Sequence, residues 1–334
     1  MKTPAQETNR PVDTQVAEAA GPAMDHTMEL AAHRGHGFEW QTWLLIVAVY
    51  GSWLGLVLAY PVWPGWLVTP LLVVVTAWFM SLQHELLHGH PTRSKAINRL
   101  LGLAPLSAWY PYDIYRDSHI AHHRDELLTT PGVDPECNYV EHAHYTRMTA
   151  VRRALSWSKR TVAGRLLLGP ALTIPEVWAD IVTGPRQRGW ACVGTWAVHL
   201  VLLVGMLWWV QQQSGITPWH YLFGIAYPAL GLAMLRSFYE HRPATLPAHR
   251  IVINEASLPW RLLYLNNNYH AVHHDHPSLA WYRIPAAFQA DRDGYLQRNG
   301  GFLLPGYGHV LWKHAFNPVD SPVHPGFEPS KTYV

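Results

Sequence analysis

Charge is scarce in this chain of 334 residues: Asp, Glu, Lys and Arg make up 14%, against 49% hydrophobic residues. The net charge of +2 says little about partners, and no nucleic acid is expected. Cysteine is nearly absent. Cys137 and Cys192 lie far apart, which excludes a disulfide framework and suits a reducing compartment. The chain has no Gly-rich dinucleotide fingerprint and no haem or iron–sulfur motif, so electrons for any redox chemistry must come from outside it. Residues 1–40 contain no apolar run, so no cleaved signal peptide is expected. They read as a disordered polar tail whose His26, His33 and His36 face solvent.

Aromatic residues, by contrast, are plentiful. The 17 Trp and 16 Tyr lean toward a membrane protein with aromatic belts, while a mean hydropathy of −0.05 leaves a substantial part in water. Four apolar segments, near residues 43–60, 66–82, 190–210 and 219–238, approach the length of about 20 residues that a spanning helix needs. Tight turns at 61–65 and 211–218 join them into two hairpins. Neither turn carries Lys or Arg, whereas the segment between the hairpins, from Arg93 to Arg188, is rich in both. The positive-inside bias therefore puts the turns outside and both termini, with the central segment, in the cytoplasm. Stretches 97–109 and 166–181, interrupted by Gly or Pro, read as interfacial or re-entrant. The expected fold is all-α and integral to the membrane, with two transmembrane hairpins (about four spans) and a cytoplasmic helical cap. The expected division is a tail over 1–40, a membrane domain over 41–290 and a cytoplasmic tail over 291–334.

Histidine is the other surplus, with 22 in the chain. Three clusters hold the informative ones: His84 and His88 as HxxxH, then His119, His122, His123 and His270, His273, His274, each as HxxHH. Residues three and four apart share one face of a helix, and neutral imidazole is a common ligand for iron and zinc. Eight such rings exceed what one tetrahedral ion can use, so the number points to two metal ions. All three clusters fall on the predicted cytoplasmic side, an agreement the charge bias did not require. A two-metal imidazole site at a membrane surface suits oxygen chemistry on iron.

Other readings compete. His84-Glu85-Leu86-Leu87-His88 also matches the HExxH signature of zinc hydrolases, but that reading leaves the other two clusters without a task. A metal transporter would place ligands mid-span, where only His199 stands, and His199 reads instead as an interhelical hydrogen bond.

The order HxxxH, HxxHH, HxxHH around two hairpins resembles the membrane fatty acid desaturase and hydroxylase superfamily. The stretches that carry the likeness are 83–90, 117–123 and 268–274, followed by Asp275-His276-Pro277 and Tyr282-Arg283-Ile284-Pro285. The resemblance implies a non-haem diiron centre, O2 as co-substrate and an acyl or lipid-like substrate. Hydrogen would be taken from an unactivated C–H bond to form a double bond. Hydroxylation, terminal-alkene-forming decarboxylation and desaturation of an amino-acid-derived compound are alternatives on the same scaffold. Electrons would come ultimately from NAD(P)H through a ferredoxin, rubredoxin or cytochrome-type protein at the cytoplasmic face of a bacterial inner membrane. The resemblance also implies a ninth ligand between the fourth span and the third cluster, where Glu240-His241-Arg242 places His241. Glu85, Asp117, Glu240 and Asp275 adjoin ligands and are candidates to accept their second ring N–H. His90 and Asn268 are expected in the same supporting layer, and the basic residues of the central segment are candidates for a substrate head group.

Overall fold

The computed structural model describes residues 38–327, so most of the expected N-terminal tail, with His26, His33 and His36, lies outside the described residues. Helix dominates. Four helices are long and apolar enough to cross a membrane: Trp40–Ala59, Gly65–Leu87, Ala191–Ser214 and His220–Tyr239. At about 1.5 Å per residue, their 20 to 24 residues match a hydrocarbon core of about 30 Å. We label the first three α1, α2 and α9; the fourth opens with a π-helical turn, His220–Ala226, and continues as α10, Tyr227–Arg236.

These helices keep one stripe for one another. Leu45, Ile46, Val49, Trp53 and Val57 of α1 recur at helical spacing and meet Leu72, Phe79, Leu82 and Leu86 of α2 in one core. Leu203 and Leu207 of α9 join it, as do Tyr221, Ile225 and Leu230 of the fourth span. The opposite faces are apolar too: Val47, Leu54, Val74, Val201, Val204 and Trp208 are exposed. Only 22% of the most apolar window of Ala191–Ser214 is buried inside the protein, so its hydrocarbon surface requires lipid as solvent. Trp63, Trp66, Trp190 and Trp219, exposed near span ends, stand where amphipathic rings favour the interface.

Between the hairpins lies the central segment. Helices α3 (Lys95–Gly102) and α4 (Tyr112–His122) are followed by α5 (His142–Arg147), α6 (Ala150–Ser158), α7 (Val162–Leu167) and α8 (Gly169–Arg188), with one short 3-10 turn after α4. The expected re-entrant stretch 97–109 divides in two: α3, and an irregular run after it whose Leu106, Ser107, Ala108 and Trp109 are buried. Irregular backbone at membrane depth is tolerated only where its polar groups are satisfied within protein. Here the Tyr221 hydroxyl donates to the Leu106 carbonyl at 2.9 Å and itself accepts from Trp53 Nε1 at 3.0 Å. His199 Nε2 donates to the Ala108 carbonyl at 3.0 Å. Mid-span His199 thus bonds a buried loop rather than a neighbouring helix.

Gly231 allows the fourth span to approach α7: a Cβ there would lie 2.5 Å from the Leu166 carbonyl oxygen. Beyond the spans come α11 (Leu258–Leu263), α12 (His270–Asp275), α13 (Ile284–Ala290), α14 (Arg292–Arg298) and α15 (Tyr307–Lys313). The only sheet among the described residues is a parallel two-strand ladder pairing β1 (Ile253–Asn254) with β2 (Leu303–Leu304). The segment after residue 290, expected as a tail, packs back as far as it is described: Tyr295, Phe302, Tyr307 and Val310 are buried, and Asp320 pairs with Arg160.

Tyr221→Phe removes both bonds of the buried relay and leaves Trp53 Nε1 and the Leu106 carbonyl without partners. The expected cost is about 1 kcal/mol per lost bond, seen as a lower unfolding midpoint of detergent-purified protein. A midpoint equal to wild type would show that the relay does not hold the irregular segment.

Candidate metal centre

The three clusters meet at one end of the bundle because each rides on the end of a helix aimed there. The second span runs to Leu87, past its expected end at residue 82, since no Gly or Pro stands between residue 82 and Gly89. His84 lies in its last turn and His88 caps it. His119 and His122 close α4, with His123 as its C-cap. His270, His273 and His274 all lie on short α12. His241 follows the fourth span directly, and its backbone is fixed by an antiparallel bridge to Ile251. Helix C-termini carry partial negative charge, so the ends of α2 and α4 both favour a cation at this point.

Two groups form. His84, His88, His119 and His273 offer ring nitrogens within 4.8 Å of one another, and so do His122, His241, His270 and His274. His123 joins the first group, its Nε2 lying 3.1 Å from the Nε2 atoms of both His119 and His273. Each HxxHH cluster divides between the groups: the i and i+4 rings share one, and the i+3 ring, about 100° from i+4 on the helix, serves the other. The groups abut, with the His123 and His274 rings stacked at 4.4 Å.

Tautomers follow from the outer partners. His119 Nδ1 donates to Glu136 Oε1 at 2.9 Å, and His122 Nδ1 donates to Asp134 Oδ1 at 2.8 Å. His270 Nδ1 donates to Asn267 Oδ1 at 3.3 Å, and the Asn267 amide donates in turn to Glu240 Oε1 at 3.3 Å, which fixes its orientation. With the proton on Nδ1, each Nε2 presents a lone pair. Those lone pairs face other nitrogens: His122 and His270 Nε2 each lie 3.0 Å from His241 Nε2, and His274 Nε2 lies 3.1 Å from that of His270. The Nε2 atoms of His84 and His88 are buried and without a partner. Ring nitrogens clustered this closely, several of them without a partner, fit a cation, and the all-imidazole donor set suits iron or zinc.

Protonation states agree. Burial holds His241, His270, His273 and His274 well below the usual imidazole range, with neighbouring rings adding to the effect. They are therefore neutral at physiological pH, the form that binds metal. At His122 burial also lowers the value, but the Glu136 and Asp134 carboxylates outweigh it and push it up to about 9. A cation arriving there displaces a proton.

The residues expected beside the ligands divide. Glu240 reaches His270 through Asn267 and lies 3.7 Å from its Nδ1. Glu85 is buried, 3.9 Å from His84 Nδ1, but its other oxygen accepts from the Trp281 amide. Asp117 is 59% exposed and paired with Arg116, so it does not support a ring; it stands on the outward face of α4, away from His119. Asp275 is exposed. Asn268 bonds the Asn254 carbonyl at 2.6 Å and shapes the turn before α12, leaving Asn267 in the role expected of it. His90 joins neither group. Its Nδ1 lies 2.9 Å from Glu39 and ties the start of the first span to the end of the second. Asp134 and Glu136, which sequence reading misses, sit in an irregular loop with no periodic signal; the Thr129 and Glu136 amides donate to Asp134 and fix it.

A cavity of about 510 Å³ reaches this centre, with Glu136, Glu240 and His241 in its wall. Apolar Met80, Trp109, Ile114, Leu230 and Met234 line it together with polar Asn138, Lys159 and Glu176.

A family model described as fatty acid desaturase matches residues 61–303, which takes in all three clusters and His241. No curated protein matches the chain.

His241→Ala is expected to lower bound metal as much as His122→Ala does, and Asp134→Asn to weaken metal binding about 10–100-fold. His90→Ala should keep its metal. Elemental analysis of purified protein checks all four; full metal in His241→Ala would remove His241 from the second group.

Proposed function

The chain belongs to the fatty acid desaturase family, and from that premise we propose that it is an O2-dependent diiron oxidoreductase that takes hydrogen from an acyl chain to form a double bond. Family membership makes it an oxidoreductase of the desaturase and hydroxylase type. The observation that carries the finer reading is the convergence of nine imidazoles on two adjoining groups, with outward nitrogens tied to Glu136, Asp134 and Asn267.

In this reading His84, His88, His119, His123 and His273 hold one ion, and His122, His241, His270 and His274 hold the other. Bound iron would supply the O2 activation that no side chain can provide. The protein's part is positional. Glu136, Asp134 and Asn267 hold the rings in one tautomer and orientation, so that no reorganisation is needed when a ligand arrives. The apolar wall of Met80, Trp109, Ile114 and Leu230 lays out a hydrocarbon chain and keeps water from it. Electrons come from a separate ferredoxin, rubredoxin or cytochrome-type protein, with NAD(P)H as the ultimate source, since the chain has no motif for either cofactor. The site and both termini face the cytoplasm of a bacterial inner membrane, as the basic central segment favours.

The HExxH hydrolase reading loses its base. Glu85 accepts from the Trp281 amide and does not line the cavity, whereas a hydrolytic Glu must reach a metal-bound water.

Purified protein expressed with iron should contain close to two ions per chain, and lipids or acids from a producing host should include a product lighter by two hydrogens. A product heavier by one oxygen would make the enzyme a hydroxylase, and no product with one bound metal would overturn the reading. Reporters placed after Val334 and near Lys159 should score as cytoplasmic and one near Gln212 as external; opposite sides for the first two would refute the orientation.

A further inference from the structure

The cavity contains a guanidinium whose hydrogen-bonding capacity is largely unspent. Arg236 closes α10, five residues before His241, and its side chain is only 11% exposed. Its Nε lies 3.5 Å from Glu240 Oε1, it donates a hydrogen bond to the Tyr115 hydroxyl, and the Glu136 carboxylate acts on it electrostatically. No other hydrogen bond or ion pair engages it among the described residues. A guanidinium carries five N–H donors in a planar fork, so donors remain for a partner in the cavity it lines.

Its neighbours differ. Arg160 is committed to Asp320 and Tyr139, and Arg165 to Asn138, Ser237 and the Met234 carbonyl. The carboxylates near Arg236 are engaged as well, Glu136 by His119 and Glu240 by Asn267. Lys159, which also lines the cavity, is a point charge on a flexible stem and matches a carboxylate less specifically than the Arg fork does. The cavity that Arg236 lines also carries apolar Met80, Ile114, Leu230 and Met234.

We propose that Arg236 anchors the carboxylate of the substrate, so that the substrate is a free acid with a hydrocarbon tail, held with its carboxylate inward beside the histidine groups. The proposal rests on the reading of this cavity as the substrate site. A bidentate Arg–carboxylate pair is both charge-assisted and geometrically selective, and an ester or thioester, lacking the charge, forfeits it. A long-chain fatty acid and an amino-acid-derived acid share this chemistry.

The test is equilibrium binding of radiolabelled palmitic acid, its methyl ester and an N-acyl amino acid to the detergent-purified full chain, with metal content read in parallel. Wild type should bind the acids at least about tenfold more tightly than the ester. Arg236→Gln should lose that preference while ester affinity and metal content stay unchanged, and Arg236→Lys should restore part of it. Preference for palmitic acid or for the N-acyl amino acid identifies the source of the carboxylate, and either supports the anchor. Equal wild-type affinity for acid and ester would overturn it, as would a loss of preference in Lys159→Gln with Arg236→Gln unaffected. Metal loss in Arg236→Gln that Arg236→Lys repairs, with acid preference intact, would reduce Arg236 to the partner of Glu240. Acid selectivity in a chain that binds no metal would sink the oxidoreductase reading and leave the anchor standing.

Discussion

Crowded imidazole nitrogens set the terms for this fold. Imidazole nitrogens crowd to 3.0 Å of one another, too many for the protons available to pair them, and burial denies them water. Such an arrangement is poor for stability unless a cation occupies its centre, so the chain gives up stability here for the sake of a site. Everything that holds the rings together must therefore come from elsewhere: the apolar bundle on one side, and the loop and short helices of the cap on the other. The helix C-termini of α2 and α4 add a field that favours positive charge at the same point.

The bundle does this by making depth and direction coincide. Helices α2 and α10 end at the same level, so His84, His88 and His241 arrive together although they are far apart in sequence. The irregular run 103–109 packs into the same core as the spans, with the Leu106 and Ala108 carbonyls taken by Tyr221 and His199. Without those bonds the run would carry unsatisfied polar groups in hydrocarbon, and the apolar lining of the cavity, which includes Trp109, would lose its backing. A histidine far from the metal groups thus supports the site through backbone rather than through chemistry.

What the sequence reveals and what it hides divide along contact distance. Periodic signals are legible: four apolar runs become four spans, and the i, i+3, i+4 spacing of the clusters puts rings on shared faces. His241 can be placed because it follows a span directly, so its position is set by the span's end. The outer partners are not legible. Asp134 and Glu136 reach His122 and His119 across an irregular loop, where neither spacing nor helix face constrains direction. Asp117 looks well placed because it is near His119 in sequence, yet two residues along a helix is a turn of about 200°, which puts it on the opposite face. Asn267 and Asn268 differ by one residue in a turn, and only the fold decides which amide meets the ring.

The two histidine groups are not equivalent, and the difference has a direction. Of the clustered histidines, only His241 lines the cavity; none of the five rings of the first group does. The group containing His241 has four rings rather than five, and one of them lines the cavity. Under the proposed reading, the group of His122, His241, His270 and His274 is the one that a substrate in the cavity would approach, since His241 stands in the cavity wall. The other has five rings, with Glu136 behind His119. Asymmetry of this kind needs no difference in ligand chemistry. It follows from His241 alone among the clustered rings reaching the cavity wall.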